Sequence, residues 1–550
     1  MRHANERPAH PQIVFGGGGG WGRRGSIVAP MRRPTTNDSV RATVVRTAAL
    51  ATLIVTGGLF AVALHRTGHT QGDDFALYLR QARSIFDGDT AAVVADNRFS
   101  VINSDSGFSP LAYPWGWPLL LAPFVHVWGL DYDLLKLVEV AAFCLWLVLL
   151  HGIVRRRLGA IVAFAVTAVF ATAPEFLEHT DQLLSEFPHL AAIAAVIWWY
   201  DRLRTRGSLL TASIGQLAVL GGLVTVAFNI RRESIVLLGV IGVMQLIDLW
   251  RENHDHAPAA LVANVRRETR ALLTPHLTFA AAAVAFQLVL PTDLLPDNGN
   301  ASRFIDDRWG EFPGILTDQL GLGIHPVIGV AILVLAAVGA VIGVRRRPDL
   351  DTPLLVLGLL TAVVIGTHIR QVDRYWFQVT PWVVYFATVA VLAAARRLLM
   401  RSDAMVPPAR HGRRRIAAAT VASVPLLALV VAHLVVLPGR AADVDDYNSA
   451  GRVQIGPAHP DIAPVFDAVV ELTPPDAVIG YFRARTMTLL TDRRAIQTYS
   501  AERIAADTDY FVQRKRSTYW QPELDRSAAR ELGFEDVWSN ERFVIWSTGR

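Results

Sequence analysis

Apolar runs of spanning length recur from Val44 to Pro438, separated by short polar connections. About 20 apolar residues suffice to cross a bilayer as a helix. The pattern predicts about eleven membrane helices, near 43–65, 133–154, 159–174, 187–203, 209–228, 234–250, 272–290, 324–344, 353–368, 376–395 and 416–438. The segment "YPWGWPLLLAPFVHVWGL" is short and proline-rich, and reads as a re-entrant or interfacial piece. In "GDDFALYLRQARSIFDGD", Phe75, Leu79, Ala82 and Phe86 fall on one face of a short amphipathic helix that Gly88 closes. Such a helix is expected to lie in the interface plane. After Arg440 the pattern changes. "DAVIGYFRARTMTLLTDRRAIQTY" and "ADTDYFVQRK" alternate short β-like runs with turns, and "RSAARELGFEDVWSNERFVIWST" reads as a helix followed by strands.

Composition agrees with a polytopic membrane protein: 52% of residues are hydrophobic and 18% charged, with mean hydropathy +0.32. Soluble domains carry about 25% charge. The net charge of +5 is spread in small arginine clusters between apolar runs, so nucleic acid is not an expected partner. The one cysteine, Cys144, lies in an apolar run and allows no intrachain disulfide.

The basic connections 155–159, 201–207, 250–270, 345–349 and 396–415 alternate with the others, and the positive-inside rule places them in the cytoplasm. The expected organisation is a disordered cytoplasmic tail over 1–42 (Met31 is a second candidate start) and a multi-span domain over 43–438. A first outside loop covers 66–132, and an extracytoplasmic α/β domain covers 440–550. The expected location is the plasma (inner) membrane.

The outside face collects acids and arginines. Asp73 and Asp74 start the amphipathic helix, where one aspartate suffices as an N-cap and the second is then free for chemistry. Asp181 and Glu186 lie in the next outside loop, Glu186 at the start of an apolar run where a charge is costly. "NIRRES" holds Arg231 and Arg232, and "HIRQVDRYWFQVTPW" holds Arg370, Arg374 and Tyr375. These arginines either snorkel or pair with Glu233 and Asp373, or they hold a bound anion; guanidinium meets phosphate bidentately. Carboxylates and arginines beside lipid suit a lipid-linked phosphate bearing a transferable group. Tyr78, Tyr113, Trp115 and Trp117 line either a sugar or lipid pocket or an aromatic interfacial belt. Arg483 and Arg485 read as ordinary surface charges.

In these motifs the chain resembles the GT-C glycosyltransferases, in the branch of protein mannosyltransferases and the lipid A aminoarabinose transferase. Asp73-Asp74 with Tyr78 and Ala82 is similar to the acidic pair on that family's first outside helix. "YPWGWPLLLAP" is similar to "YPPGYPLLLAP" at Tyr113, Pro114, Gly116 and Pro118. Glu186 with Pro188, the "NIRRES" turn, and Arg374, Tyr375 and Pro381 match further motifs.

The resemblance implies inverting transfer of a sugar from a polyprenyl-phosphate donor to a lipid, glycan or protein acceptor. It makes Asp73 the general base and Asp74, standing where the family has Glu, its helper. No cofactor is required by the motifs; a divalent cation could be held only if Asp73, Asp74 and Glu186 converge. Two rival functions are a transporter or flippase of lipid-linked saccharide, which needs no Asp73, and a non-catalytic membrane scaffold.

Overall fold

A computed structural model describes residues 36–105, 110–253, 258–291, 307–368, 372–400 and 408–550. The chain begins with α1 (Thr36–Ala63), followed by two short helices, α2 (Asp74–Asp87) and α3 (Thr90–Asn103), and by α4 (Gly116–Trp128). Next come α5 (Tyr132–Leu158), α6 (Ala160–Thr172), α7 (Pro174–His179), α8 (Glu186–Arg204), α9 (Ile214–Ile230) and α10 (Val236–Asn253). The bundle continues with α11 (Pro258–Val289), α12 (Phe312–Gln319), α13 (Pro326–Arg346), α14 (Pro348–Gly366), α15 (Thr380–Met400) and α16 (Pro408–Ser449).

All eleven apolar runs are helical. Among the described residues eight helices, α1, α5, α10, α11, α13, α14, α15 and α16, are long and apolar enough to cross a membrane. The chain is a multi-pass membrane protein. α6 and α9 are apolar but shorter, with 13 and 17 residues, and α8 carries Glu186, Asp201, Arg202 and Arg204 at its ends. Three helices clearly overrun their expected limits. α11 starts at Pro258, and α16 runs 42 residues to Ser449 through Pro425 and Pro438, so Arg440 is mid-helix. α1 likewise begins before residue 43.

Four basic connections meet at one end of the bundle, and carboxylates neutralise them there. Arg157 Nη2 donates to Asp201 at 2.8 Å, and Arg347 pairs with Asp351 at 2.8 Å. Arg204 bridges Asp248 and Asp349, each at 2.5 Å, and Arg251 joins Asp349. The remaining loops meet at the opposite end. There His65 bonds Thr180 (2.9 Å), Thr67 N–H donates to Asn448 (2.9 Å), and Leu183 N–H donates to His69 Nε2 (3.1 Å).

At that second end sits the α/β region, built from α17 (Ala463–Leu472), β1 (Val478–Tyr481), α18 (Ala484–Thr491), β2 (Arg494–Ile496), α19 (Ala501–Asp507), β3 (Tyr510–Arg514), α20 (Arg526–Glu531), β4 (Glu535–Ser539) and β5 (Phe543–Ser547). The sheet order is β2-β1-β3-β5-β4. β1 pairs parallel with β2 and β3, which requires crossovers, supplied by α18 and α19. β3, β5 and β4 are antiparallel. "ARTMTLLT", expected among β-like runs, is therefore a helix.

The α/β region docks on α2 and α3. Arg83 pairs with Asp492 at 2.6 Å, Arg494 with Asp96 at 3.1 Å and Arg503 with Asp105 at 2.7 Å. This docking explains a departure from the amphipathic reading. α2 buries Phe75, Leu79 and Ala82 as expected, but also Ala76, Leu77, Arg80 and Gln81, while Phe86 is exposed. α2 is a buried strut packed between α4 and α18.

Candidate active site

α2 presents the acidic pair. Asp73 holds the N-cap position, yet its side chain makes no capping bond to α2. Its Oδ1 instead accepts from the backbone N–H and hydroxyl of Thr486, at 3.4 and 3.3 Å, in the first turn of α18. The residue caps a helix 413 positions away. Burial pushes the Asp73 carboxyl above the usual range; Arg483, Arg485 and the Thr486 N–H oppose that rise.

Asp74 is more open. It accepts from the Tyr113 hydroxyl at 2.6 Å and from Arg374 Nη2 at 3.1 Å, and Arg485 lies 4.0 Å away. Tyr113 is delivered by the turn before α4. That turn approaches α9 so closely that a Cβ on Gly116 would fall 2.5 Å from the Asn229 carbonyl oxygen. The glycine of "YPWGWP" is thus a packing requirement.

Glu186, the first residue of α8, is 2% exposed and sits between two guanidinium groups, Arg231 Nη1 at 3.0 Å and Arg374 Nε at 3.0 Å. Arg231 is also held by Glu233 at 2.9 Å and lies over the Tyr375 ring, 5.0 Å from its centroid. Arg374 thus links Asp74 to Glu186, while Arg231 is consumed by Glu186 and Glu233. Pairing of Arg231 with Glu233 matches one sequence alternative; Arg374 pairs with Asp74 and Glu186, not with Asp373.

Asp73, Asp74, Arg374, Arg483 and Arg485 share one cavity of about 460 Å³, together with Gln497, Tyr519 and Trp520 of the α/β region. His69 also lines it, but both ring nitrogens are occupied, one by the Thr70 carbonyl (3.0 Å) and one by Leu183 N–H (3.1 Å). Burial lowers His69 to about 4, so it stays neutral. Asp73 and Asp74 are the carboxylates of the cavity lining.

Other expected residues lie elsewhere. Asp181 is outside the cavity lining; it pairs with the buried Lys136 at 2.8 Å and accepts from Gln454 at 3.0 Å, and burial, opposed by Lys136, raises it to about 6. Trp115 and Trp117 are fully buried, in neither the cavity nor an interfacial belt, and Trp115 Nε1 donates to the Pro291 carbonyl at 2.8 Å. Tyr78 bonds Ser185 Oγ at 3.1 Å and packs on Tyr113, with ring centroids 4.4 Å apart. Arg232 lies over Phe228, 5.1 Å from the ring centroid, and Arg370 lies outside the described residues. Asp73, Asp74 and Glu186 do not converge on a point; arginines intervene. Among the described residues no group of three or more His, Cys, Asp or Glu is placed to hold a metal ion.

Arg483 and Arg485 are the residues sequence reasoning missed. Arg485 is 4% exposed and donates to Asn97 Oδ1 (3.0 Å) and the Pro110 carbonyl (2.7 Å). Neither is a plain surface charge. The only available signal was two arginines flanking a β-to-helix turn, which does not say what that turn docks on.

No protein-family model and no curated protein matches the sequence. The fold does have solved counterparts. It is similar to ArnT from Cupriavidus metallidurans bound to undecaprenyl phosphate, with TM-score 0.50, 14% identity, and coverage of 93% of this chain and 98% of that one. It is also similar to the Archaeoglobus fulgidus oligosaccharyltransferase tethered to an acceptor peptide containing the NVT sequon, with TM-score 0.50, 11% identity, and coverage of 84% and 69%. The chain shares the fold of these two structures, in line with the GT-C-like architecture that the sequence motifs implied.

Proposed function

From this shared fold we propose that the chain is a membrane glycosyltransferase, moving a hexose or pentose from a polyprenyl-phosphate donor to an acceptor with inversion. The observation that carries this reading is the single cavity in which the buried Asp73, its neighbour Asp74 and the cations Arg374, Arg483 and Arg485 meet at one end of the bundle. The positive-inside rule puts that end outside the cytoplasm.

In the reaction an acceptor hydroxyl gives its proton to Asp73 while its oxygen bonds to the anomeric carbon. The bond from that carbon to the phosphate oxygen breaks, and polyprenyl phosphate leaves as an anion. A raised carboxyl pKa makes Asp73 a stronger base than an ordinary aspartate. Guanidinium groups facing the departing oxygen stabilise its growing charge. Arg374 is the cavity cation on the bundle side, and Glu186, braced by Arg231, orients it. Asp74 positions Arg374 and Tyr113. A transporter could use the same cations but would not need Asp73 for sugar transfer.

The test is a transfer assay in membranes with labelled polyprenyl-phosphate sugars, comparing wild type with Asp73→Asn. Asn keeps an acceptor oxygen for Thr486 and removes a charge that burial disfavours, so the variant is expected to fold. General-base loss should lower turnover by about 10²–10⁴-fold with donor binding retained. Equal turnover would remove Asp73 as base.

A further inference from the structure

The bundle-side cations of the cavity are already matched: Arg374 by Asp74 and Glu186, and Arg231 behind it by Glu186 and Glu233. Arg483, on the wall supplied by the α/β region, is different. Among the described residues it has no carboxylate within ion-pair distance. Its Nη2 donates to the Tyr519 hydroxyl at 3.0 Å, its guanidinium lies 5.1 Å from the Tyr519 ring centroid, and its Nε is buried without a hydrogen-bond partner. A buried, unpartnered donor costs free energy unless a ligand satisfies it.

The same wall holds an unmatched acceptor. Gln497 is 4% exposed, and its Oε1 is buried without a partner. Beside them the turn carrying Tyr519 is held between two residues with left-handed backbone, Arg516 (φ 57°) and Trp520 (φ 55°). Strain of that kind in non-glycine residues collects where side chains must be aimed. Tyr519 is 49% exposed, and Trp520 stacks on Tyr499 with ring centroids 5.2 Å apart. One orphan donor on a cation, one orphan acceptor and an aromatic pair describe a ligand with an oxyanion, a hydroxyl and a ring.

We infer that this wall is the binding site for the glycosyl-phosphate head group. Arg483 Nε donates to a phosphate oxygen, Gln497 Oε1 accepts from a sugar hydroxyl, and Tyr519 and Trp520 flank the sugar. The inference rests on the function proposed above and adds that the α/β region is part of the site. Arg374 and Arg483 then bracket the acidic pair from opposite walls, one from the bundle and one from the docked region.

The experiment titrates the full-length protein in detergent with undecaprenyl phosphate, with undecaprenyl phosphate carrying one hexose, and with inorganic phosphate, following binding by native mass spectrometry and thermal shift. Losing a charge-assisted bond predicts that Arg483→Ala weakens both lipid probes by roughly tenfold to a hundredfold, with partial recovery in Arg483→Lys. Gln497→Leu should weaken the hexose-bearing probe by roughly two- to tenfold and leave the bare lipid phosphate unchanged. Unfolding midpoints of the unliganded variants serve as the folding control, and Arg483→Lys replaces Arg483→Ala should the latter fail to fold.

Wild-type affinity of Arg483→Ala for both lipid probes overturns the inference, and if Arg374→Ala abolishes binding in the same series the parent reading stands. Inorganic phosphate stabilising as strongly as the lipid probes also overturns it, in favour of a free-phosphate site. Failure of the wild type to bind either lipid probe sinks the parent reading itself.

Discussion

Asp73 and Asp74 are adjacent in sequence and bound to different parts of the molecule. Asp74 faces the bundle through Arg374 and Tyr113, while Asp73 faces α18 through Thr486. Burial raises the Asp73 pKa, which suits the base proposed above, and Arg483 and Arg485 are the charges that limit the rise. The sign of the pH effect follows. The working form of a base is deprotonated, so activity falls as pH drops through the folded pKa, and the acid limb of kcat/KM is expected above the ordinary aspartate value of about 3.9. Replacing Arg483 with Gln removes an opposing positive charge and should move that limb to still higher pH. A pH–rate profile of the variant measured against wild type checks this; a limb that stays in place or moves down would show that Arg483 does not couple to the base.

Among the helices, packing depends on how closely backbones approach. α13 lies against α15 so tightly that a Cβ on Gly339 would run into the Phe386 carbonyl oxygen, and one on Gly329 would run into that of Pro313 before α13. Small residues at helix contacts are how membrane helices gain packing where hydrophobicity cannot separate helix from lipid. Gly242 of α10, by contrast, has nothing within 4 Å of a modest side chain. Gly339→Ala should therefore destabilise the fold by about 1–3 kcal/mol, as overpacking does, whereas Gly242→Ala should be neutral or stabilising by up to about 1 kcal/mol through helix propensity. Unfolding midpoints in one detergent measure both; equal effects at the two positions would contradict the close approach of α13 to α15. Neither distinction is visible in the apolar pattern. Periodicity reports that a segment is helical and apolar, and both glycines sit in apolar runs long enough to span.

At the scale of the whole molecule, what was legible follows sequence distance. The helices, the acidic pair at the start of α2 and Glu186 at the start of α8 are local signals, and the elements that carry them form where the pattern puts them. The partners of those residues are non-local. Arg483 and Thr486 reach Asp73 only because the α/β region folds back over α2, and no spacing in the chain encodes that return. Sidedness stands between the two cases, because it depends on a global count of charges. The arginines of four basic connections converge at one end, and the cavity lies at the other with the α/β region over it. If the positive-inside rule holds, the basic end is cytoplasmic and the cavity opens outside. The sole cysteine makes this testable. Cys144 is half-buried in α5, with its thiol toward the Ile54 carbonyl at 3.8 Å, so a Cys144→Ser background leaves no native thiol. In that background, Glu541→Cys, exposed before β5, should react with a membrane-impermeant maleimide in intact cells. Arg206→Cys, exposed in the basic connection after α8, should react only after permeabilisation. The reverse pattern would place the cavity in the cytoplasm, where a donor presented on the outer face of the membrane could not reach Asp73.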